Sequence, residues 1–344
     1  MKRLFPLFLA LLLFAACNNN TKSPADMKKN SAGQTLEILV IADPSVYSGE
    51  TRQLIDSIFG RPQGGLYETE PMFDIVNIPV SSYRNNEMYR VHRNILVCDI
   101  KSDNPDKVYM HIDDYAAPQV VFDFAVKDAA SLRNYLRKYQ KTILDEFYKA
   151  EHRRVARAFS GIRNHKLNND IAQKFGFGLT FSDEYHLARE DADFVWVRKE
   201  GKHFSLGLLI NTFPYTNSKI FEEQQLLDRI DTVMRHYLLP PQEGSYSGME
   251  RRRDEQGEYL APIIRRQVEF PNSPYCIETR GNWRSFGDFM GGPLLSYAFL
   301  TPDQKQVVLL IGYVYCPKNK PYTKRDLLMQ LEGICYSFQM NTAE

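Results

Sequence analysis

The chain lacks the short signatures by which most catalytic sites are recognised. None of the patterns G-x-S-x-G, S-x-x-K, H-E-x-x-H, C-x-x-C and G-x-x-x-x-G-K occurs in its 344 residues. The seven histidines are scattered, and no two have metal-binding spacing on one helix face. Gly244-Ser245-Tyr246-Ser247-Gly248 departs from a nucleophile elbow, because tyrosine takes the central place. Motifs therefore give no catalytic residue, no cofactor and no metal site.

The chain also has little excess charge and no long apolar run beyond its first residues. Its formal net charge is +1, and loss of an N-terminal segment carrying Lys2 and Arg3 leaves 41 basic residues against 42 acidic ones. Proteins that bind nucleic acid normally present a basic face, so we expect no nucleic-acid partner. No later segment reaches 18 uncharged apolar residues, the minimum for a membrane-spanning helix.

Cysteine is scarce, with four residues beyond Cys17: Cys98, Cys276, Cys316 and Cys335. An even number permits two disulfides in an oxidising compartment. Cys98 and Cys335 lie in apolar runs, where a cysteine behaves as a small hydrophobic residue. The sequence leaves the disulfide status open, and Cys276 with Cys316 is the pair that fits best.

The first residues have the layout of a signal peptide. Lys2 and Arg3 precede the apolar stretch 4–14, which ends in Phe14-Ala15-Ala16-Cys17. This ending resembles the lipobox of bacterial lipoproteins, which implies cleavage of residues 1–16 and acylation of Cys17. An ordinary secretory signal and a short membrane helix are the alternatives. The apolar stretch has eleven residues, too few to cross a hydrocarbon core of about 30 Å.

Residues 17–34 are polar and have no apolar periodicity, so we expect a flexible tether between membrane and domain. No acidic cluster follows Cys17. In lipoproteins such a cluster can direct surface export, so its absence favours a periplasm-facing position on the outer membrane. The lipid bilayer, reached through acylated Cys17, is the first expected partner.

Apolar runs and amphipathic patterns predict an α+β fold. The expected sheets are largely antiparallel and covered by amphipathic helices, with short polar connections of the hairpin type in the first sheet. Strands precede a helix three times, with helices at 128–159, 220–239 and 324–338. These repeated strand-strand-helix modules suggest an N-terminal lobe at 35–160 and a C-terminal lobe at 161–344, and the sequence leaves open that the two lobes are similar.

Two charged segments have ordinary structural interpretations that need no ligand. The basic cluster 152–157 lies in the last turns of the first long helix, where positive charge complements the helix dipole. A phosphate or lipid headgroup site is the alternative. The segment 251–255 mixes arginines with acids, and we expect a solvated loop.

The stretch 280–293 concentrates unusual residues: one of two tryptophans, four glycines, two arginines and an aspartate. Its glycines permit a tight bend, which would hold the neighbouring side chains in fixed directions. The candidate binding residues are Tyr246, Arg280, Trp283, Asp288, Met290, Gly291 and Gly292. The alternative is structural, with the glycines at a strand corner and four side chains in the core: Trp283, Phe286, Phe289 and Met290.

Several short segments together resemble an uncharacterised lipoprotein family of Bacteroidota, domain of unknown function 4837. The resemblance covers nearly the whole mature chain. It is carried by the lipobox, 72–74, 93–96, 193–196, 244–246, 280–283 and 288–293. The most specific of these are Met290-Gly291-Gly292-Pro293 and Gly244-Ser245-Tyr246. It implies a location in the cell envelope and no particular activity.

Two functions remain as hypotheses. The first is a non-catalytic module that binds a ligand or an envelope protein through the candidate residues, since aromatic and arginine side chains are common at binding hot spots. The second is an envelope hydrolase in which Asp288 is the acid or base and Arg280 or Arg284 stabilises an anion. The sequence favours the first.

Overall fold

The computed structural model describes residues 28–317 and 321–341. The expected signal peptide, Cys17 and the first part of the tether lie outside these residues. The described part is α+β with mostly antiparallel strand pairs, which confirms the predicted fold class.

The first sheet belongs to the N-terminal half and is mainly parallel. Its strands are β1 (Glu37–Ile41), β2 (Asp74–Ile78), β3 (Asn94–Ile100), β4 (Lys107–Ile112) and β5 (Val120–Val126). They lie in the order β2-β1-β3-β5-β4, and β4 is the strand that pairs antiparallel. The expectation of an antiparallel first set was therefore wrong.

Helical crossovers explain the parallel pairing. The helices of this half are α1 (Gly49–Phe59), α2 (Val80–Asn85), α3 (Glu87–Arg90) and α4 (Ala129–Gly161). Parallel neighbours need a connection of about a dozen residues or more. Helix α1 lies between β1 and β2, and α2 with α3 supplies the connection from β2 to β3. Helices α2 and α3 could not be predicted from the sequence, because they are too short to show a helical period.

Helix α4 covers one face of this sheet. Its Phe147 lies at the centre of an aromatic cluster, with ring centroids 6.4 Å from Phe59, 6.0 Å from Phe73 and 5.8 Å from Phe122. All four rings are buried. The long apolar stripe of α4 therefore packs as its periodicity predicted.

The second sheet has eight antiparallel strands. The strands of the C-terminal half are β6 (Phe177–Gly178), β7 (His186–Asp191), β8 (Phe194–Glu200), β9 (Ser205–Pro214), β10 (Tyr246–Met249), β11 (Ile264–Gln267), β12 (Cys276–Phe286), β13 (Gly291–Leu300), β14 (Gln306–Tyr315) and β15 (Gln339–Met340). The order is β10-β12-β13-β14-β9-β8-β7, with β11 also paired to β12, while β15 and β6 form a small separate ladder. The halves therefore differ in strand number and direction, and they are not similar lobes.

Helices cover both faces of the second sheet. They are α5 (His165–Phe175), α6 (Glu223–Tyr237) and α7 (Lys324–Cys335). On β14, Leu309 and Ile311 pack in the core that α6 covers, and Leu310 packs in the core of α5 and α7. Burial on both faces explains why β14 is apolar almost throughout. Strand β14 pairs with β9, so the second and third sequence modules share one sheet rather than repeating as separate units.

Helix α7 joins the two halves. Its Met329 packs in the N-terminal core, and its Leu331 packs in the C-terminal core. Glu70 accepts hydrogen bonds from the backbone nitrogens of Lys324 at 3.0 Å and Arg325 at 2.7 Å. A carboxylate at this position satisfies the unpaired amides at the start of a helix. The N-terminal half thus caps a helix of the C-terminal half.

The described end of the expected tether is bound to the fold. Ala117 donates its backbone N–H to the carbonyl of Lys29 at 2.9 Å, and Asn30 and Ala32 form isolated bridges with Ala117 and His92. The guanidinium of Arg154 donates to the Ser31 hydroxyl at 3.2 Å. Residues 29–33 are consequently part of the folded body, and the boundary expected at residue 34 moves towards the N-terminus.

The basic cluster at the end of α4 has specific partners. The Arg154 guanidinium is buried and donates to the carbonyl of Pro118 at 2.9 Å. Arg153 pairs with Asp113 at 3.0 Å, and Arg157 donates to the carbonyl of Ala117 at 3.0 Å. These contacts hold the segment after β4, so complementing the helix dipole is not the main role of the cluster.

The body cysteines are buried. Cys276 is a free thiol, so it does not form the disulfide with Cys316 that the sequence left open. Burial raises the pKa of the Cys98 thiol to about 12. Among the described residues, no helix has the length and apolar character to cross a membrane.

Candidate functional site

The unusual stretch 280–293 forms the end of β12, a hairpin turn and the start of β13. Ser285 donates its backbone N–H to the carbonyl of Met290 at 2.8 Å, which closes the turn. Gly287 has a φ of 92°, a conformation that favours glycine. The Asp288 carboxylate accepts the backbone N–H of Phe289 at 2.6 Å. The strand corner that the sequence offered as the structural alternative is therefore present.

Trp283 belongs to the core beneath this turn. It is 2% exposed, and its indole Nε1 donates to the carbonyl of Val314 on β14 at 3.0 Å. Its ring lies edge-on to Tyr313, with centroids 5.2 Å apart. A Cβ on Gly292 would come 2.1 Å from the same Val314 oxygen. Gly292 therefore allows β13 to approach β14 closely enough for Trp283 to pack.

Arg280 is buried below the hairpin and takes part in an ion-pair network. Its Nη2 lies 2.7 Å from Glu278 and 2.9 Å from Glu332, while Arg266 contacts the other oxygen of Glu278. Burial alone would raise the pKa of Glu332, but the charge of Arg280 and the hydrogen bonds from His152 and Arg280 outweigh burial and hold this pKa at about 2. Arg280 is thus a structural residue and faces no cleft.

Tyr246 lies beside the turn, next to the strand that enters it. Its ring stacks on Phe286, its neighbour across β10 and β12, with centroids 4.8 Å apart. The guanidinium of Arg235 lies 4.1 Å from the ring centre. Tyr246 is therefore held between a helix and a strand by aromatic and cation–π contacts.

The hairpin forms one wall of an open cleft between the two halves, with a volume of about 480 Å³. We name it the interlobe cleft, and its lining consists of Tyr67, Glu68, Glu250, Arg252, Trp283, Arg284, Ser285, Asp288, Phe289, Met290, Gly291, Gly292 and Lys324. Trp283, Asp288, Met290, Gly291 and Gly292 were candidate binding residues from the sequence, and the structure brings them together here. Tyr246 and Arg280 are absent from this lining.

A charged pair stands at the base of the interlobe cleft. Arg252 Nε lies 2.9 Å and 3.0 Å from the two carboxylate oxygens of Glu250, and Arg252 Nη2 lies 2.7 Å from one of them. Arg284 approaches the same carboxylate at 3.4 Å. Burial would raise the pKa of Glu250, but hydrogen bonds from Arg252 keep it below its usual range. The carboxylate thus stays charged and fixes the direction of the Arg252 guanidinium.

The segment 251–255 is consequently more than a solvated loop. Besides the Arg252 contact, Arg251 bridges Asp228 and Asp231 of α6, at 2.7 Å each. The sequence could not show this, because the partners lie about 20 residues away on another element. The available signal was the run of three arginines between acidic residues in 250–255, and such a run has no unique structural meaning.

Exposed apolar side chains stand at the rim. Phe289 projects fully into solvent at the tip of the hairpin, so the structural alternative that placed it in the core was wrong. Tyr67 of the N-terminal half is also exposed. Lys324 and Glu68 pair beside Tyr67. The cleft therefore combines aromatic groups with fixed guanidinium groups, an arrangement suited to binding an amphipathic or anionic group. Among the described residues, no cluster of three potential metal ligands occurs.

A second, smaller cavity of about 220 Å³ lies on the sheet of the N-terminal half. Tyr83, Asp99, His111, Tyr115 and Asp123 are part of its lining. Burial raises the pKa of the Asp123 carboxyl above its usual range. The sequence analysis did not identify this cavity, because its residues come from three strands and two connections.

Comparison with known proteins gives family membership. Residues 31–160 match the family model of a domain of unknown function, DUF8532. Residues 164–337 match that of another domain of unknown function, DUF4837. No match was found among curated proteins. The DUF4837 match covers just over half of the chain, and the chain therefore belongs to the DUF4837 family.

Proposed function

We propose that this protein is a cell-envelope lipoprotein, acylated at Cys17, whose interlobe cleft binds a ligand or protein partner without catalysing a reaction. The basic start, the short apolar stretch and the small residues before Cys17 support the anchor. Several acyl chains on one residue give lasting attachment, because each buried methylene contributes about 0.8 kcal/mol. The absence of acidic residues directly after Cys17 supports an outer-membrane position facing the periplasm.

Phe289 is the observation that carries the binding proposal. Its side chain is fully exposed at the tip of a rigid hairpin, and it lines the interlobe cleft. The turn is closed by the backbone contact between Ser285 and Met290, so the fold does not need the Phe289 ring. Covering such a ring in a complex would contribute about 1.5–3 kcal/mol. A large apolar group kept outside the core on a fixed support is suited to contact another molecule.

The neighbouring charges add specificity. Glu250 is almost fully buried and positions Arg252, whose side chain remains more than half exposed. A guanidinium held in one direction loses little conformational entropy when it binds a carboxylate or phosphate. Tyr67 lies across the cleft, on the other half of the protein. A partner with an anionic group beside an apolar segment would use both features.

The alternative of an envelope hydrolase has less support. Arg280 forms ion pairs with Glu278 and Glu332 below the hairpin. Asp288 accepts the N–H of Phe289, the usual role of an aspartate in a turn. Arg284 lines the cleft but is directed at Glu250. Each of the three side chains therefore already has a structural partner, and this favours the binding function over the hydrolase.

Photocrosslinking in cells tests the binding proposal. A photoreactive phenylalanine analogue at position 289 of the full-length protein should give a discrete adduct. The matched control carries the analogue at Leu187, an exposed apolar residue of the edge strand β7. Arg252→Ala, introduced together with the analogue at 289, should lower the yield of the adduct. Equal adducts at 187 and 289, or no adduct at 289, would refute binding at the cleft.

A further inference from the structure

A group of apolar side chains lies exposed along one edge of the first sheet. Strand β4 is the last strand in the sheet order, and it carries Tyr109, Met110 and Ile112, with Tyr115 three residues after its end. These four side chains are 42% to 50% exposed. We name them the β4 edge patch.

The β4 edge patch shows apolar groups on both sides of the sheet. Successive side chains in a strand point to opposite faces, so Tyr109 lies on one face and Met110 and Ile112 on the other. A helix or sheet packed on one face could cover only part of the patch. A partner that meets the strand from its edge could contact all of it.

The chain enters the fold beside this patch. The Lys28 ammonium donates to the carbonyl of Asp113, the residue after β4, and the carbonyl of Lys29 accepts from Ala117. Residue 28 therefore lies at the end of β4. The eleven peptide steps from Cys17 to Lys28 span at most about 40 Å when fully extended. Acylation of Cys17 would therefore keep the end of β4 within about 40 Å of the bilayer surface.

Positive charge surrounds this entry point. Lys28, Lys29 and Arg157 are exposed, and Arg153 is partly exposed although it pairs with Asp113. Asp114, in the same segment, lies 3.0 Å from His111. Exposed lysine and arginine beside tyrosine is the combination that favours the headgroup region of a membrane with anionic lipids.

We propose that the β4 edge patch is a membrane-docking surface that orients the protein on the bilayer carrying its own acyl anchor. This inference rests on the proposed acylation of Cys17. The unpaired backbone groups of an edge strand cannot enter hydrocarbon without a high cost, so the patch lies at headgroup depth, where water remains. Docking at this edge places the first sheet next to the membrane and gives the anchored body a fixed side.

Spin labels on the full-length acylated protein test the proposal. The protein is reconstituted in vesicles of phosphatidylethanolamine and phosphatidylglycerol, with Met110→Cys as the labelling site. Leu187→Cys is the matched control on β7, an edge strand of the second sheet. The body cysteines are buried and should not react. Relaxation by dissolved oxygen and by a water-soluble nickel complex is measured for each label.

Membrane docking predicts a several-fold higher oxygen-to-nickel ratio at position 110 than at position 187. Equal ratios at the two positions would overturn the proposal. Protection of position 110 from both reagents would overturn it as well, because it indicates pairing of β4 with a protein strand. Intact mass of the same sample reports acylation: an acylated protein with equal ratios refutes docking alone, whereas an unacylated protein refutes the anchor on which the inference rests.

Discussion

Arg280 on β12 and Glu332 on α7 form a buried ion pair, with Arg280 Nη2 2.9 Å from Glu332 Oε1. Glu278 completes the charge balance on the strand, and His152 of α4 lies 3.4 Å from the other oxygen of Glu332. Three elements from both halves therefore meet at one charge cluster, beneath the hairpin that forms the interlobe cleft.

Removing one member of this cluster should be costly. We predict that Glu332→Gln lowers the free energy of unfolding by about 3 kcal/mol, because Arg280 stays buried with part of its charge uncompensated. Urea denaturation measures the change. Asp170→Asn is the control, since its pair with Lys166 is exposed and should have little effect. An equally small effect of both substitutions would show that the buried pair does not support the fold.

The same carboxylate predicts a pH dependence. The pKa of Glu332 is about 2 in the folded protein, against about 4.3 for an ordinary glutamate in an unfolded chain. Between these values the unfolded chain binds a proton that the folded chain does not. The contribution of Glu332 is therefore complete above about pH 4.3 and is lost as the pH falls towards 2. The stability difference between wild type and Glu332→Gln should shrink over this range, and a constant difference would contradict the assignment.

Gly292 offers a test of the packing below the cleft. We predict that Gly292→Ala lowers stability by about 3 kcal/mol, because the new Cβ would overlap the Val314 carbonyl, and neither backbone can move freely. Gly161→Ala is the matched control at the end of α4, where a Cβ meets nothing within 4 Å. It should be neutral or stabilising by about 0.5 kcal/mol. Thermal unfolding of both variants checks the contrast.

Local patterns were sufficient for much of the fold. The helices predicted at 128–159, 220–239 and 324–338 are present as α4, α6 and α7, because their amphipathic patterns are long enough to show a helical period. Pair direction in the first sheet was not predictable in this way. It depends on β1 lying between β2 and β3, and that order follows from crossovers whose helices α2 and α3 are too short to give a periodic signal.

The candidate site, like the fold, could be predicted from the sequence only in part. The glycines of 280–293 indicated a turn, and Trp283, Asp288 and Met290 do lie together at the cleft. Arg280 was misplaced because strand alternation alone does not reveal which face another helix covers. Tyr67, Glu68 and Lys324 join the cleft only when the two halves dock, so no local pattern could have found them.

The anchor has its own test. We predict that the wild-type protein incorporates labelled palmitate in its native host and that Cys17→Ser does not. Cys98→Ser is the control for nonspecific labelling, because Cys98 is buried in the body. Label that persists in Cys17→Ser would refute acylation at Cys17, while leaving the cleft proposal to its separate measurement.

The most direct test of the central claim compares the two walls of the interlobe cleft. Photoreactive analogues at Tyr67 and at Phe289 come from different halves of the protein but line the same space. If the cleft binds one partner, both positions should give an adduct containing the same molecule, identified by mass spectrometry, and position 187 should not. Adducts with unrelated molecules, or none at either position, would contradict a binding function for the cleft.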